Sequence, residues 1–244
     1  MLDRKKVEDE VAGMKKDARR RFDAALTALL ALAWRYKDSL GAAFRFEDDP
    51  DLYAEALAIC RQMSDDCIED AKHRLEAISD EIDADEALSF SDGEPLRDRF
   101  DMAGSHLILL ADLWVSTAFA KGFTQDYTRI AIGRYINSPM ASGLFHGADT
   151  SLLKWGRGYA KNIPEQMGLI GQDAIVGAAR VWEWQDEAAK GATYYIRHRG
   201  SAYDCDVCDE MCEVPTPIEI PITIPHARCM CWTEYFYENA EQTL

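Results

Sequence analysis

A stripe of apolar residues, spaced three and four apart, runs through the first 36 residues of the chain and sets the length of its first helix. Its members are Val7, Val11, Met14, Ala18, Phe22, Ala25, Leu29, Leu32 and Tyr36. Because an α-helix completes one turn every 3.6 residues, this spacing puts all of them on one face. The sequence therefore predicts a helix that continues to about Leu40 and buries one side.

The same spacing returns in two further segments. A second helix is predicted from about Asp51, with Asp49 before Pro50 as its start signal. Its apolar positions are Leu57, Cys60, Met63, Cys67, Ala71, Leu75 and Ile78. A third helix is predicted from about Leu96 to Lys121, and the acidic segment at residues 81–95 is predicted to be a loop.

Cys60 and Cys67 both lie on the apolar face of the second helix. Seven residues correspond to about two helical turns, which separates the two thiols by roughly 10 Å along the axis. A disulfide between them is therefore excluded, and we expect both to pack as small apolar residues. The chain has seven cysteines and no secretory signal pattern, so reduced thiols in a cytosolic setting are expected.

The pattern changes twice after residue 122. Shorter helices are predicted around residues 127–136, 151–160 and 165–189. After Gly191 the spacing becomes alternating, which predicts strands at residues 194–196, at residues 219–225 (EIPITIP, placed at a sheet edge by its prolines) and within residues 229–238. The chain thus divides into long helices (1–122), shorter helices (123–190) and a small β-rich metal-binding module (191–244).

Five of the seven cysteines and one of the five histidines fall within residues 201–231. Cys205 and Cys208 form a CxxC pair, a spacing at which a tight turn directs two sulfurs at one zinc ion. After seventeen intervening residues, His226, Cys229 and Cys231 supply a second half-site, and this combination is a strong zinc signal. The predicted ligands are Cys205, Cys208, His226 and Cys229, with Cys231 able to replace Cys229 and with Cys212 as the weakest candidate.

Zinc with four protein ligands has no position left for a substrate, so a structural role is expected rather than catalysis. The predicted fold class is accordingly mainly α: an N-terminal bundle of long helices followed by a small strand-containing module stapled by zinc, an α+β architecture. The alternative is a metal-dependent nuclease or hydrolase that uses His198 or His226 around an open zinc ion. A third interpretation is a regulator whose thiols release zinc on oxidation.

The formal net charge of −16, from 43 acidic and 27 basic residues, disfavours binding to nucleic acids and to anionic membranes over most of the surface. The apolar segment 107–120 contains Asp112 and is shorter than the ~20 residues of a membrane-spanning helix, so no membrane is expected. The basic residues of the first helix could contact DNA locally. The favoured interpretation is that they form a solvent-exposed face of that helix. These residues are Arg4, Lys5, Lys6, Lys15, Lys16, Arg19, Arg20 and Arg21.

Residues 165–235 resemble the C-terminal region of phage head-morphogenesis proteins and, more narrowly, of Mu F-like minor head proteins. The resemblance consists of a helix rich in alanine and acids (QDAIVGAARVWEWQDEAAKGA), a strand (YYIRHRGSAYD), a CxxC pair and a final proline-histidine followed by Cys-x-Cys. Ala227 and Met230 stand where the family usually has proline and arginine. The matching positions are Cys205, Cys208, Pro225, His226, Cys229 and Cys231.

This resemblance implies a minor structural protein of a tailed-phage or prophage head, with no enzymatic reaction. Its implied partners are portal or capsid proteins. Its implied location is the virion, at the portal vertex or in the capsid interior, and the host cytoplasm during assembly.

Overall fold

A computed structural model describes residues 2–89, 96–136, 163–200, 206–222 and 229–237. Its helices are α1 (Arg4–Arg35), α2 (Lys37–Leu40), α3 (Pro50–Ile78), α4 (Ala84–Ser89), α5 (Leu96–Lys121), α6 (Gln125–Ile136), α7 (Ile163–Ala189) and α8 (Asp206–Met211). The strands are β1 (Tyr194–His198), β2 (Pro215–Pro217) and β3 (Trp232–Phe236). The predicted fold class, mainly α with a small strand-containing C-terminal unit, is confirmed.

Side-chain caps set the starts of the first two long helices. The carboxylate of Asp3 accepts a hydrogen bond from the backbone N–H of Lys5 at 2.9 Å, and that of Asp49 accepts from Asp51 and Leu52 at 3.0 Å each. Pro50 occupies the first turn of α3, where its missing N–H costs no helical hydrogen bond. The start signal predicted at residues 49–50 is therefore confirmed.

The predicted loop at residues 81–95 is wrong for residues 84–89, which form α4; residues 90–95 lie outside the described residues. The side chain of Asp83 accepts a hydrogen bond from the backbone N–H of Glu86 at 3.0 Å, which caps the helix. Ala84, Ala87 and Leu88 are buried, and α4 contacts both α3 and α7. The predominance of acidic residues led to the loop prediction, although Ala84, Ala87 and Leu88 are spaced as on one face of a short amphipathic helix.

Helices α1, α3, α4, α5 and α7 contribute to one hydrophobic core. The first half of α7 is enclosed on nearly all sides, and glycines let α1 approach it closely: a Cβ on Gly171 would lie 2.5 Å from Cγ of Met14. The regions 1–122 and 123–190 thus share a core, while the boundary between them stays a prediction. The helix predicted at residues 151–160 lies outside the described residues.

Helix α5 is long and apolar enough, by length and composition, to cross a membrane, and 44% of its most apolar window is buried inside the fold. In the fold it packs against α3 and α7. Its neighbour Cys60 donates a hydrogen bond to the carbonyl of Gly104 at 3.3 Å. Burial raises the pKa of Cys60 and of Cys67 to about 12, and their predicted packing as apolar residues is confirmed.

The strands form an antiparallel sheet in the order β2-β1-β3, in which Tyr195 lies opposite Thr216 and Tyr235. The strands predicted at residues 194–196 and within 229–238 are confirmed as β1 and β3. The strand predicted at residues 219–225 is wrong over residues 219–222, which form a turn and coil; residues 223–225 lie outside the described residues. The backbone N–H of Ile220 bonds to the carbonyl of Pro217 at 3.1 Å and reverses the chain, so the edge strand is β2 instead.

Candidate metal centre

Four cysteines meet between α8 and the approach to β3. Cys208 lies on α8, Cys212 follows the end of that helix, and Cys229 and Cys231 immediately precede β3. Their exposed fractions are 0% for Cys208, 7% for Cys212 and 2% each for Cys229 and Cys231. They form a buried cluster of their own, which we call the thiol cluster.

The sulfur atoms of the thiol cluster are at distances that suit a shared metal ion. Sγ of Cys208 lies 3.9 Å from Sγ of Cys229 and 3.6 Å from Sγ of Cys231, and these three sulfurs all lie within 4.8 Å of one another. Tetrahedral zinc with metal–sulfur bonds of about 2.3 Å has sulfur–sulfur edges of about 3.8 Å. Cys208, Cys229 and Cys231 are therefore able to hold a soft metal ion together.

Backbone hydrogen bonds hold the chain around α8. The N–H of Cys212 bonds to the carbonyl of Cys208 at 2.8 Å, which continues the helical turn by one residue. Glu213 then adopts a left-handed conformation with φ of 61°, and its N–H bonds to the carbonyl of Arg197 on β1 at 2.8 Å. This bond offsets part of the ~1 kcal/mol cost of that backbone conformation and ties α8 to the sheet.

Arg180 on α7 joins the thiol cluster to the helical bundle. Its guanidinium donates to Sγ of Cys229 at 3.6 Å, to the carbonyl of Cys229 at 2.9 Å and to the carbonyl of Cys231. A metal ion held by several thiolates carries net negative charge, which a guanidinium at this position offsets. Arg180 thus holds the segment at residues 229–231 in place, and it would offset the negative charge of a metal bound there.

Hydrogen bonding between thiols also separates their acidities. Cys229 donates to Cys231, which raises the pKa of Cys229, together with burial, to about 12. Accepting that bond lowers the pKa of Cys231, with a further contribution from the backbone N–H of Gly200. Cys231 is therefore the more easily ionised sulfur of this pair, and a metal ligand must be ionised to bind.

The structure brings together three of the five sequence-predicted ligands, Cys208, Cys229 and Cys231. Cys205 and His226 lie outside the described residues. Cys212, ranked last from the sequence, lies with its Sγ 3.9 Å from that of Cys231. Cys212 follows Cys208 by four residues, which is about one helical turn. In a helix at residues 206–211 this spacing places both cysteines on the same face, and it is the sequence signal that indicates Cys212.

His198, named in the alternative hydrolase interpretation, contacts carboxylates. Its Nδ1 lies 3.1 Å from Glu213 and its Nε2 lies 3.0 Å from Glu234. Its ring also stacks on Trp232, with centroids 4.2 Å apart. His198 therefore links β1 to the segments on both sides of it.

A cavity of about 120 Å³ lies beside the thiol cluster, between α7, the start of α1 and the segment at residues 230–233. Arg180, Glu183, Leu2 and Cys231 are among its lining residues. The backbone N–H of Leu2 donates to the Glu183 carboxylate at 2.9 Å, and burial raises the pKa of Glu183. The volume suits a few water molecules and is smaller than the ~300 Å³ of typical small-molecule pockets.

Part of the basic charge of α1 is paired within the fold. Arg21 forms an ion pair with Asp70 on α3 at 3.1 Å, with both side chains largely buried. Arg4 pairs with Glu8 at 2.9 Å on the surface. These contacts reduce the positive charge that α1 offers to DNA, and DNA contact stays a prediction.

Comparisons with protein-family models, with curated proteins and with solved structures find no match for this chain.

Proposed function

We propose that this protein is a minor structural and assembly protein of a tailed-phage or prophage head, whose C-terminal module is held in shape by a structural zinc ion. The observation that carries the proposal is the thiol cluster, in which Cys208, Cys229 and Cys231 converge with at most 2% exposure. Ligands this enclosed suit a metal that holds a fold. The CxxC and HxxCxC pattern around them, which resembles Mu F-like minor head proteins, supports the head assignment.

Zinc is the proposed ion because clustered buried thiolates favour a soft, redox-inert metal with tetrahedral geometry. The module needs such support, since its own apolar core is small. Among the described residues, its buried members are Ala192, Tyr195, Ile222 and Tyr235, with Val181, Trp184 and Ile218 partly buried against them. The free energy of zinc binding is then largely free energy of folding for this module.

An interaction role agrees with the rest of the molecule. One hydrophobic core extends through the long helices, and a packed helical bundle of this kind offers extended helix surfaces to a partner. The net charge of −16 favours protein partners over the DNA that fills a capsid. Portal and capsid proteins are the proposed partners, and the virion is the proposed location.

The test is co-purification with the portal protein of the phage or prophage that the proposal assigns to this chain. The two chains are co-expressed with an affinity tag on the portal protein, and the eluate is analysed by size-exclusion chromatography. We expect both chains in one peak at a fixed ratio, and no such peak with a portal protein from an unrelated phage. A capsid protein is offered in the same assay. A chain that elutes as a monomer and binds neither portal protein nor the capsid protein contradicts the proposal.

A metal-dependent nuclease or hydrolase is the second candidate, and the cavity beside Cys231 is the observation that favours it. Such an enzyme needs a water ligand on the metal and a general base nearby. Glu183 faces this cavity, but its carboxylate already accepts the N–H of Leu2. Absorption of a cobalt-substituted sample separates the candidates, since a closed tetrahedral site rich in sulfur differs from an open site that holds water.

A further inference from the structure

We infer that Cys212 is the fourth ligand of the metal, so that four thiolates, those of Cys208, Cys212, Cys229 and Cys231, hold the ion and neither Cys205 nor His226 binds it. The inference rests on the zinc site proposed above and deepens it by naming the complete ligand set. A closed all-sulfur site replaces the mixed sulfur and nitrogen site that the sequence spacing predicts.

Sulfur–sulfur distances place Cys212 in the thiol cluster. Its Sγ lies 3.9 Å from Sγ of Cys231, which lies 3.6 Å from Sγ of Cys208, which lies 3.9 Å from Sγ of Cys229. All three values agree with the ~3.8 Å edge of a tetrahedron of sulfurs around zinc. The contact of Cys212 is therefore of the same length as the contacts within the trio that already suits a metal.

The backbone continues the helical turn that begins at Cys208 as far as Cys212. The hydrogen bond from the N–H of Cys212 to the carbonyl of Cys208, at 2.8 Å, sets the two residues one helical turn apart. Side chains with this four-residue separation lie on the same face of a helix. The left-handed conformation of Glu213 ends the turn directly afterwards, so Cys212 is the last residue that α8 aims at the thiol cluster.

Ordinary apolar packing does not explain the burial of Cys212. Its exposed fraction is 7%, yet the buried residues around it in the same cluster are three other cysteines, with no aliphatic or aromatic member among the residues that the structure describes. Buried cysteines in a helical core, such as Cys60, pack instead among aliphatic and aromatic residues. The sulfurs of Cys208, Cys229 and Cys231 lie within 4.8 Å of one another, and Cys212, whose sulfur contacts that of Cys231, supplies the fourth thiol of the zinc site.

X-ray absorption spectroscopy on the unmodified, zinc-loaded chain tests the inference directly. We expect a single shell of sulfur atoms at about 2.3 Å and no scattering from an imidazole nitrogen at about 2.0–2.1 Å. A nitrogen shell at the shorter distance overturns the inference. Because this measurement needs no substitution, it does not depend on whether a variant folds.

Substitutions then identify the fourth donor by zinc affinity, measured through competition with a chromophoric chelator. Cys212→Ser is expected to weaken zinc binding by more than about 100-fold, beyond the effect of losing an outer-shell partner. Cys205→Ser and His226→Asn serve as matched controls and are expected to change it by less than about threefold. The reverse order, with Cys212→Ser neutral, overturns the inference but leaves a zinc site in place. A full-length chain that binds no zinc overturns both this inference and the proposed zinc-stabilised function.

Discussion

A buried ion pair between Arg99 on α5 and Asp173 on α7 is expected to contribute strongly to the stability of the bundle. The guanidinium and carboxylate are 3.0 Å apart, and their side chains are only 4% and 6% exposed. Arg99→Met would leave the Asp173 carboxylate without this partner in the core. Removal of one member of a buried pair destabilises proteins by about 3–5 kcal/mol, because the remaining charge stays desolvated.

The predicted loss converts to a melting shift of roughly 6–20 °C, since each kcal/mol moves the midpoint by about 2–4 °C in a domain of this size. Arg35 and Glu55 supply the matched control: their atoms are 2.6 Å apart, but the side chains are 62% and 46% exposed. Arg35→Met is expected to cost no more than about 1 kcal/mol, because exposed pairs contribute little. The same chemistry at a similar distance thus isolates the effect of burial.

Urea and thermal denaturation, each followed by circular dichroism, measure the free energy of unfolding and the melting midpoint of both variants. The double variant Arg99→Met/Asp173→Leu is expected to regain most of the lost stability, because apolar residues of similar size replace buried pairs at little cost. Equal effects of Arg99→Met and Arg35→Met would refute the reasoning. So would a double variant less stable than Arg99→Met alone.

Three further predictions concern packing, ionisation and the metal. Gly171→Ala is expected to lower the free energy of unfolding by about 1–3 kcal/mol, because its Cβ would collide with Met14, whereas Gly133→Ala on α6, where a Cβ has no described neighbour within 4 Å, is expected to raise it by up to about 1 kcal/mol; urea titrations compare the two. Burial raises the pKa of Asp112 from 3.8 to about 6, so the folded protein holds more protons than the unfolded chain in that window and its stability falls as the pH rises through it. Asp112→Asn, measured by denaturation near pH 4 and near pH 7, should remove that fall, and an unchanged slope would assign it to other groups. Chelation of zinc is expected to abolish the near-ultraviolet dichroism of the C-terminal module while the far-ultraviolet helical signal persists, and simultaneous loss of both signals would show that the two parts unfold together.

The long helices could be predicted from the sequence because their signals are local. A three- and four-residue apolar spacing needs only the geometry of one helix, and the Asp49 cap needs only the next three residues. Three of the four cysteines in the thiol cluster, Cys208, Cys229 and Cys231, could likewise be predicted from their spacing in the sequence. Cys212 was ranked last because a tight turn was predicted at residues 205–208, whereas residues 206–211 form α8; Cys205 lies outside the described residues and stays a predicted ligand.

Two short segments were predicted wrongly from the sequence, because their secondary structure depends on contacts with other parts of the chain. The acidic run around Ala84 and Leu88 was predicted to be a loop, but these buried side chains belong to α4, which contacts both α3 and α7. The alternation in residues 219–225 was predicted to be a strand, but pairing with β1 is made by Pro215–Pro217. A strand is defined by its partner, and the alternation of side chains alone does not select one.

Local periodicity and ligand spacing thus determined the long helices, the presence of strands near the C-terminal end and the candidate ligands. Tertiary structure alone decided which distant groups meet: Arg99 with Asp173, Arg180 with the carbonyls of Cys229 and Cys231, and Cys212 with Cys231. The physical reason is range. Helical signals act over about four residues. The partners of a buried charge or of a metal ligand are distant in the sequence, and only the packing of the chain brings them into contact.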